Sequence, residues 1–465
     1  MNQTLWGALP RRLRKLGRFA HMTQGLRRLS SALRRSVLRH GLAALGVLLL
    51  AGTVAAQAVQ PETRVRQQPV EAHWVAAWAV APVDFRELSA NPLMKAAAPR
   101  PGGDAFQGQT LRQQFASSLA GERVRIRFSN RFGKAPLHIA AASVAHGTGA
   151  GAVSPASLRM LRFGGRSGTV VAPGAEAWSD GVALKVEAGQ AVAVSVFFDR
   201  AAPFATVHLQ APDAGWVAGG NAVAVAKPDD VAPLPLSHVV TGLDVMTTQP
   251  VRVVAAFGDS ITAGGGEAGD GSYPEMLATR LRGSPAAAAP VSVLNLGIGG
   301  NRLLVDGVGP NGLSRFARDA LGQTGVTHAI VLLGTNDIGR SVFPGMPGRP
   351  TPAHEVATAE RITEGLQQLI RQARAKGVKV LIGTVPPFGN TPYWTEHSEA
   401  MRAEVNRWIR SRQDVDGVVD FDAVLRDPGN PLALNPAYDN GDHLHPSRAG
   451  HAAMAAAVDL RELQE

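Results

Sequence analysis

The chain has 465 residues, 45% of them hydrophobic and 18% charged, which excludes a disordered protein and leaves room for two domains. A net charge of +10 points first to nucleic acid, but residues 1–40 hold ten Lys and Arg and no acid, so the rest is balanced and the folded part offers no charge argument for a nucleic-acid partner. No cysteine is present, which rules out disulfides, thiol nucleophiles and Cys-ligated metals.

In chain order, the basic start gives way to an uncharged apolar run, Gly41–Ala56, and then to Ala56-Gln57-Ala58, which has the small-x-small form of a signal-peptidase site. These are the three parts of an export signal. Met22 as the start would give a leader of more ordinary length. The apolar core is short of the ~20 residues that a spanning helix needs. Residues 1–58 are therefore expected to be a cleaved signal peptide of an exported protein, periplasmic or extracellular. An uncleaved membrane anchor is the alternative, with transient membrane contact confined to this segment, and an Arg-rich organellar presequence is a third. Residues 59–71 are polar, carry two prolines and read as a linker.

From Trp74 the texture is that of short strands. In GERVRIRFSNRFG, Val124, Ile126 and Phe128 fall on one face and Arg123, Arg125 and Arg127 on the other, the period of a half-buried strand. Further strands are predicted over 137–145, 181–189, 191–199 and 204–211, with Gly, Pro, Asp and Asn between them. Short strands with turn signals and almost no helical pattern predict an all-β sandwich over 72–248. Trp74, Trp78, Trp178 and Trp216 are read as buried, with a sugar-stacking surface as the alternative.

From 249 to 465 strands alternate with helices. Strands are predicted at RVVAAFG, VSVLNLG (291–297), HAIVLLG (328–334), VKVLIGTVP (378–386) and GVVDFDAVL (417–425). Ile362, Leu366, Leu369, Ile370 and Ala373 recur at helical spacing, with Lys376 in the last turn and Gly377 as the stop. A last helix is predicted from Pro446. This alternation predicts a parallel sheet with helices on both faces.

Chemistry gathers beyond the carboxyl ends of such strands. Ser260 follows the first strand in a glycine-rich turn, placed as a nucleophile or as an ordinary turn serine. Gly299-Gly300 follows the second strand and frees backbone N–H groups for a ligand. Asn336 follows the third, where an amide can donate to a developing oxyanion. Asp442 and His445 stand three apart before the last helix, so that the carboxylate can fold back on the imidazole. His443 and His451 compete with His445 for the role of base.

These segments are similar, in order, to the four blocks of the GDSL/SGNH hydrolase superfamily: GDSI at 258–261, NLGIGG at 295–300, GTND at 334–337 and DHLH at 442–445. The one departure is Ile261 in place of Leu, another apolar residue. The resemblance implies a flavodoxin-like SGNH fold and a catalytic triad of Ser260, Asp442 and His445. It implies oxyanion donors at Ser260, Gly300 and Asn336, and no cofactor or metal. The TLRQQF (110–115) and VRIRFSNRFG (124–133) segments resemble the β-sandwich that precedes some secreted bacterial members. The expected activity is hydrolysis of a small-molecule or glycan carboxylic ester through an acyl-enzyme. The narrower alternative is an O-acetylesterase of polysaccharide, and a non-catalytic glycan-binding protein is the alternative from another class. SVFPGMPGRPTP (341–352) is expected to border the acyl pocket.

Overall fold

The computed structural model describes residues 71–90, 103–209, 214–234, 236–265, 271–283, 289–342 and 352–464. The predicted leader, nearly all of the linker and most of the 341–352 loop lie outside the described residues. Among the described residues no helix is long and apolar enough to cross a membrane.

Residues 73–247 are strand-rich. The strand Gly121–Ser129 pairs antiparallel with Val240–Thr247 on one side and with Glu176–Trp178 and Val182–Val186 on the other. A second antiparallel sheet is centred on Gln109–Ala116, Ala191–Phe198 and Ala141–Gly149. Val124, Ile126 and Phe128 from the first sheet share one apolar cluster with Leu111, Val194 and Val144 from the second. On the arginine face of the first sheet Arg123 is exposed, but Arg125 and Arg127 are covered. Arg125 lies between the rings of Trp74 and Trp178 and pairs with Asp244 at 2.7 Å. Arg127 is buried and donates to Thr241 and Gln323. The predicted strand over 137–145 is two strands, Leu137–Ile139 and Ala141–Gly149, and among the described residues 204–209 of the next predicted strand, Thr206–His208 is the strand.

The α/β part begins with β1 (Arg252–Gly258), α1 (Ser260–Ala263), α2 (Tyr273–Arg282), β2 (Val291–Gly297), α3 (Gly312–Asp319), β3 (His328–Leu332) and α4 (Thr335–Val342). It continues with α5 (Ala359–Ala375), β4 (Lys379–Gly383), α6 (Glu396–Arg410), β5 (Gly417–Val419), α7 (Phe421–Leu425) and α8 (Arg448–Ala457). The five strands form a parallel sheet in the order β2-β1-β3-β4-β5. Alternate residues of β1 go to opposite cores. Val253, Ala255 and Phe257 join the cluster that holds Phe316 of α3 and Ile362, Leu366 and Leu369 of α5; Val254 and Ala256 join Leu277 of α2 and Met454 of α8. Leu369→Ala in that α5 face would cost about 2–5 kcal/mol.

Two expectations are corrected. The segment 417–425 is a strand only to Val419, because the Asp420 carboxylate accepts the Ala423 N–H at 3.1 Å and caps a helix instead. The last helix starts at Arg448 rather than Pro446, since Ser447 is its N-cap and accepts the Gly450 N–H.

All described residues belong to one compact unit. The strand-rich and α/β parts meet where Val75 and Val253, members of one apolar cluster, both lie by Gly325, and through polar links. Ser118 and Ser292 share a 2.7 Å hydroxyl contact, Thr324 donates to Asp244 at 2.8 Å, and the Ala76 N–H donates to the Thr324 carbonyl at 3.0 Å.

Candidate active site

Register explains why distant segments meet. Gly258 pairs with Gly297 across β1 and β2, and with Leu332 across β1 and β3. The loops after the three strands therefore leave from one edge. They carry Asp259-Ser260, Ile298–Asn301 and Leu333–Asn336.

The turn after β1 is tight. A Cβ on Gly258 would lie 1.9 Å from the Thr262 hydroxyl and 2.7 Å from the Leu332 carbonyl, so only glycine fits. Asp259 caps α1 by accepting the Ile261 N–H at 3.0 Å, and its carboxyl, buried, is pushed up to about 6 chiefly by desolvation. Ser260 is the first residue of α1, where the helix supplies no acceptor for its N–H.

Ser260 Oγ lies 2.7 Å from His445 Nε2. His445 Nδ1 lies 2.6 Å from Asp442 Oδ2, and Asp442 Oδ1 accepts the N–H groups of Leu444 and His445 at 2.9 and 2.8 Å. Partial burial works to raise the Asp442 pKa, but the His445 ring and these N–H groups outweigh it and hold it below the usual carboxylate value. Gly265 completes the fit: a Cβ there would come within 2.6 Å of His445 Cδ2. The competing histidines are elsewhere. His443 sits at φ 65° with Nδ1 2.5 Å from Asp439. His451 is fully buried in α8 and is held neutral, its pKa lowered to about 4 mainly by burial and further by the charge of His445.

Gly300 has φ 73°, and the Asn301 N–H closes its turn onto the Ile298 carbonyl at 3.1 Å. Asn336 is not in a loop but in the first turn of α4. Its Nδ2 donates to the Asn301 carbonyl at 3.1 Å and more weakly to Asp259 at 3.4 Å, and its Oδ1 accepts from the Tyr393 hydroxyl at 3.3 Å. Next to it, the buried Asp337 carboxylate takes the Leu303 and Leu304 N–H groups at 2.7 and 3.0 Å, which ties the Gly300 loop to α4.

Residues 256–453 match the family model of the GDSL-like Lipase/Acylhydrolase family. This segment belongs to the GDSL/SGNH superfamily. The chain is 33% identical over 116 residues to an uncharacterised esterase, YxiM, of Bacillus subtilis strain 168; the match takes in 22% of this chain and 28% of that relative's length. Among solved structures it is similar to the aryl esterase of M. smegmatis, at 21% identity and a TM-score of 0.35 over 46% of this chain and all of that one. It is also similar to an acetylxylan esterase mutant from Geobacillus stearothermophilus, at 21% identity and 0.34 over 46% of this chain and 93% of that one.

The sequence reading of this GDSL/SGNH segment named Ser260, Gly300, Asn336, Asp442 and His445 but passed over Asp259, Asp337 and Tyr393. Asp259 and Asp337 adjoin named residues within the GDS and GTND blocks, and their burial is the signal that sequence lacks. Tyr393 lies in a loop with no motif.

Proposed function

We propose that the protein is an exported serine ester hydrolase. The observation that carries this reading is the unbroken line from Ser260 Oγ through His445 to Asp442, at 2.7 and 2.6 Å. His445 Nε2 takes the Ser260 proton as Oγ attacks the ester carbonyl. Asp442 holds the ring in the tautomer with the proton on Nδ1 and stabilises the imidazolium that forms. The oxyanion draws on the Ser260 N–H, the Gly300 N–H and the Nδ2 hydrogen of Asn336 that otherwise makes the weaker 3.4 Å bond to Asp259. His445 then gives its proton to the departing alcohol. Water, activated by the same imidazole, hydrolyses the acyl-enzyme and frees the acid. Export rests on the basic, apolar and small-residue succession of residues 1–58.

The test is a substrate panel on residues 59–465, run beside Ser260→Ala. Short synthetic esters and acetylated xylan or pectin separate a general esterase from a polysaccharide O-acetylesterase. A fluorophosphonate probe should label Ser260 in the wild type and nothing in the variant. Ester turnover that survives Ser260→Ala would sink the assignment, and a wild type that neither labels nor hydrolyses would make the chain a binding protein.

A further inference from the structure

Beneath the three oxyanion suppliers lies one buried cation. Arg315, on α3, has no exposed surface. Its guanidinium makes three hydrogen bonds, each to a different part of the site. Nη2 donates to the Gly258 carbonyl at 2.7 Å, two residues before Ser260. Nη1 donates to the Leu296 carbonyl at 2.9 Å, at the end of β2. Nε donates to Asn301 Oδ1 at 2.9 Å, and Asn301 both follows Gly300 and turns its own carbonyl to Asn336 Nδ2. The plane lies 3.9 Å from the centre of the Phe257 ring.

This is an expensive way to hold a fold. Burial lowers the Arg315 pKa to about 10, yet the group stays charged at neutral pH. Its nearest carboxylate, Asp319, is 3.6 Å away and is engaged more closely by Arg318 at 2.5 Å. The donors go instead to two carbonyls and an amide oxygen. A well-packed apolar side chain would commonly be at least as stabilising. What it could not do is fix two strand ends and the Asn301 loop at set distances, which a rigid planar fork does.

We propose that Arg315 is a positioning residue that sets the spacing of the Ser260, Gly300 and Asn336 donors. The inference rests on the ester-hydrolase reading for its kinetic consequence but not for its structural one. Arg315→Lys keeps the charge and loses the fork. In that variant kcat per fluorophosphonate-titrated site should fall about 100-fold, the loss typical of one oxyanion donor, with KM within threefold of wild type. Arg112→Lys, at an equally buried arginine in the strand-rich part, should keep wild-type kcat per titrated site. Independently of any substrate, the Gly300 backbone amide and the Asn301 and Asn336 side-chain amides should shift in the nitrogen–proton spectrum of Arg315→Lys, while that of Asn430 stays in place. Should Arg315→Lys not fold, the wild type still decides. Its Arg315 Nε–H resonance should move when a phosphonate on Ser260 occupies the oxyanion position.

Wild-type kcat per site in a folded Arg315→Lys overturns the proposal, as do unmoved Gly300 and Asn336 amides. So does an Arg315 resonance indifferent to the phosphonate. If the wild type hydrolyses no ester, the functional reading fails by itself, and the amide spectra alone decide the role of Arg315.

Discussion

Among the described residues the strand-rich and α/β parts each bury one arginine completely, and the two are built alike. Arg112 donates from Nε to Ser195 Oγ at 2.7 Å, from Nη1 to the Gly151 and Ala226 carbonyls at 3.1 and 2.9 Å, and from Nη2 to the Val225 carbonyl at 2.7 Å. It stacks on Trp216 at 4.5 Å, as Arg315 stacks on Phe257 at 3.9 Å. Burial lowers both to about 10. The difference is what the carbonyls belong to. Those of Arg112 belong to loops that pin one edge of a sheet. Those of Arg315 belong to the strand ends from which Ser260 and Gly300 depart, and its third bond goes to Asn301, whose carbonyl holds Asn336. One physical device thus serves cohesion in one part and geometry in the other, and mutation should separate the two.

The largest expected effect is confined to the α/β part. Ser260→Ala should lower kcat on the order of 10⁶-fold, with the urea midpoint unchanged, because it removes the attacking oxygen and little packing. Asn336→Ala should cost about 100–1,000-fold in turnover on the same substrate. A loss below tenfold in a folded Asn336→Ala would mean that the amide, already donating to the Asn301 carbonyl, does not turn to the oxyanion.

The matched arginines come next. Arg315→Lys should show its effect in kcat, as argued above. Arg112→Lys should show it in stability, by roughly 2–4 kcal/mol, since several buried carbonyls lose their donor. Urea unfolding measures the second effect. If both variants lose stability alike and neither loses kcat per titrated site, the contrast between the regions collapses.

The contrast also explains what was legible in the sequence. Chemistry in an α/β sheet sits just past strand ends, and strand ends can be read from apolar runs that stop at glycine. Ser260, Gly300 and Asn336 were visible for that reason, and His445 because Asp442 stands three residues before it. The alternation of Val124, Ile126 and Phe128 likewise gave their inward face. Arg315 was not visible. Nothing in GLSRFARD distinguishes a buried arginine from the exposed ones usual on a helix; only the register of β1 against β2 brings Gly258 and Leu296 within its reach. The half-buried alternation of 123–128 likewise does not show that Trp74 and Trp178 flank Arg125 or that Gln323 accepts from Arg127. Asp420 and Ser447 were legible as caps in principle, but the apolar run past Asp420 and Pro446 before Ser447 drew the boundaries to the wrong places.

A smaller effect compares buried histidines in the two parts. His238 in the strand-rich part is lowered to about 3, and His451 in the α/β part to about 4, both chiefly by desolvation. Each binds fewer protons in the folded state than in the unfolded one below about pH 6.5, so each lowers stability as pH falls toward its folded value. Asp259 and Asp337, raised to about 6 by burial, act in the opposite sense between about pH 4 and 6. His451→Gln should therefore flatten the acid side of the curve by up to about 1.4 kcal/mol per pH unit below pH 6. Urea unfolding at pH 7, 6 and 5 tests this, and parallel curves for variant and wild type would refute it.

The smallest effect concerns the tryptophans of the strand-rich part. Trp74 and Trp178 flank Arg125 at 4.9 and 4.5 Å, and Arg127 approaches Trp178 at 5.5 Å. Trp78 stacks on Phe115 with centroids 3.7 Å apart, and Trp216 is buried. Ring faces already covered by guanidinium or by another ring have no room for a sugar. Trp178→Leu should then cost about 1–2 kcal/mol, the worth of its two cation–π contacts with Arg125 and Arg127. It should leave retention on an insoluble acetylated polysaccharide as it was. Retention that disappears in the folded variant would show that Arg125 gives up the ring to a glycan. The strand-rich part would then hold a glycan rather than only pack against the sheet that carries Ser260.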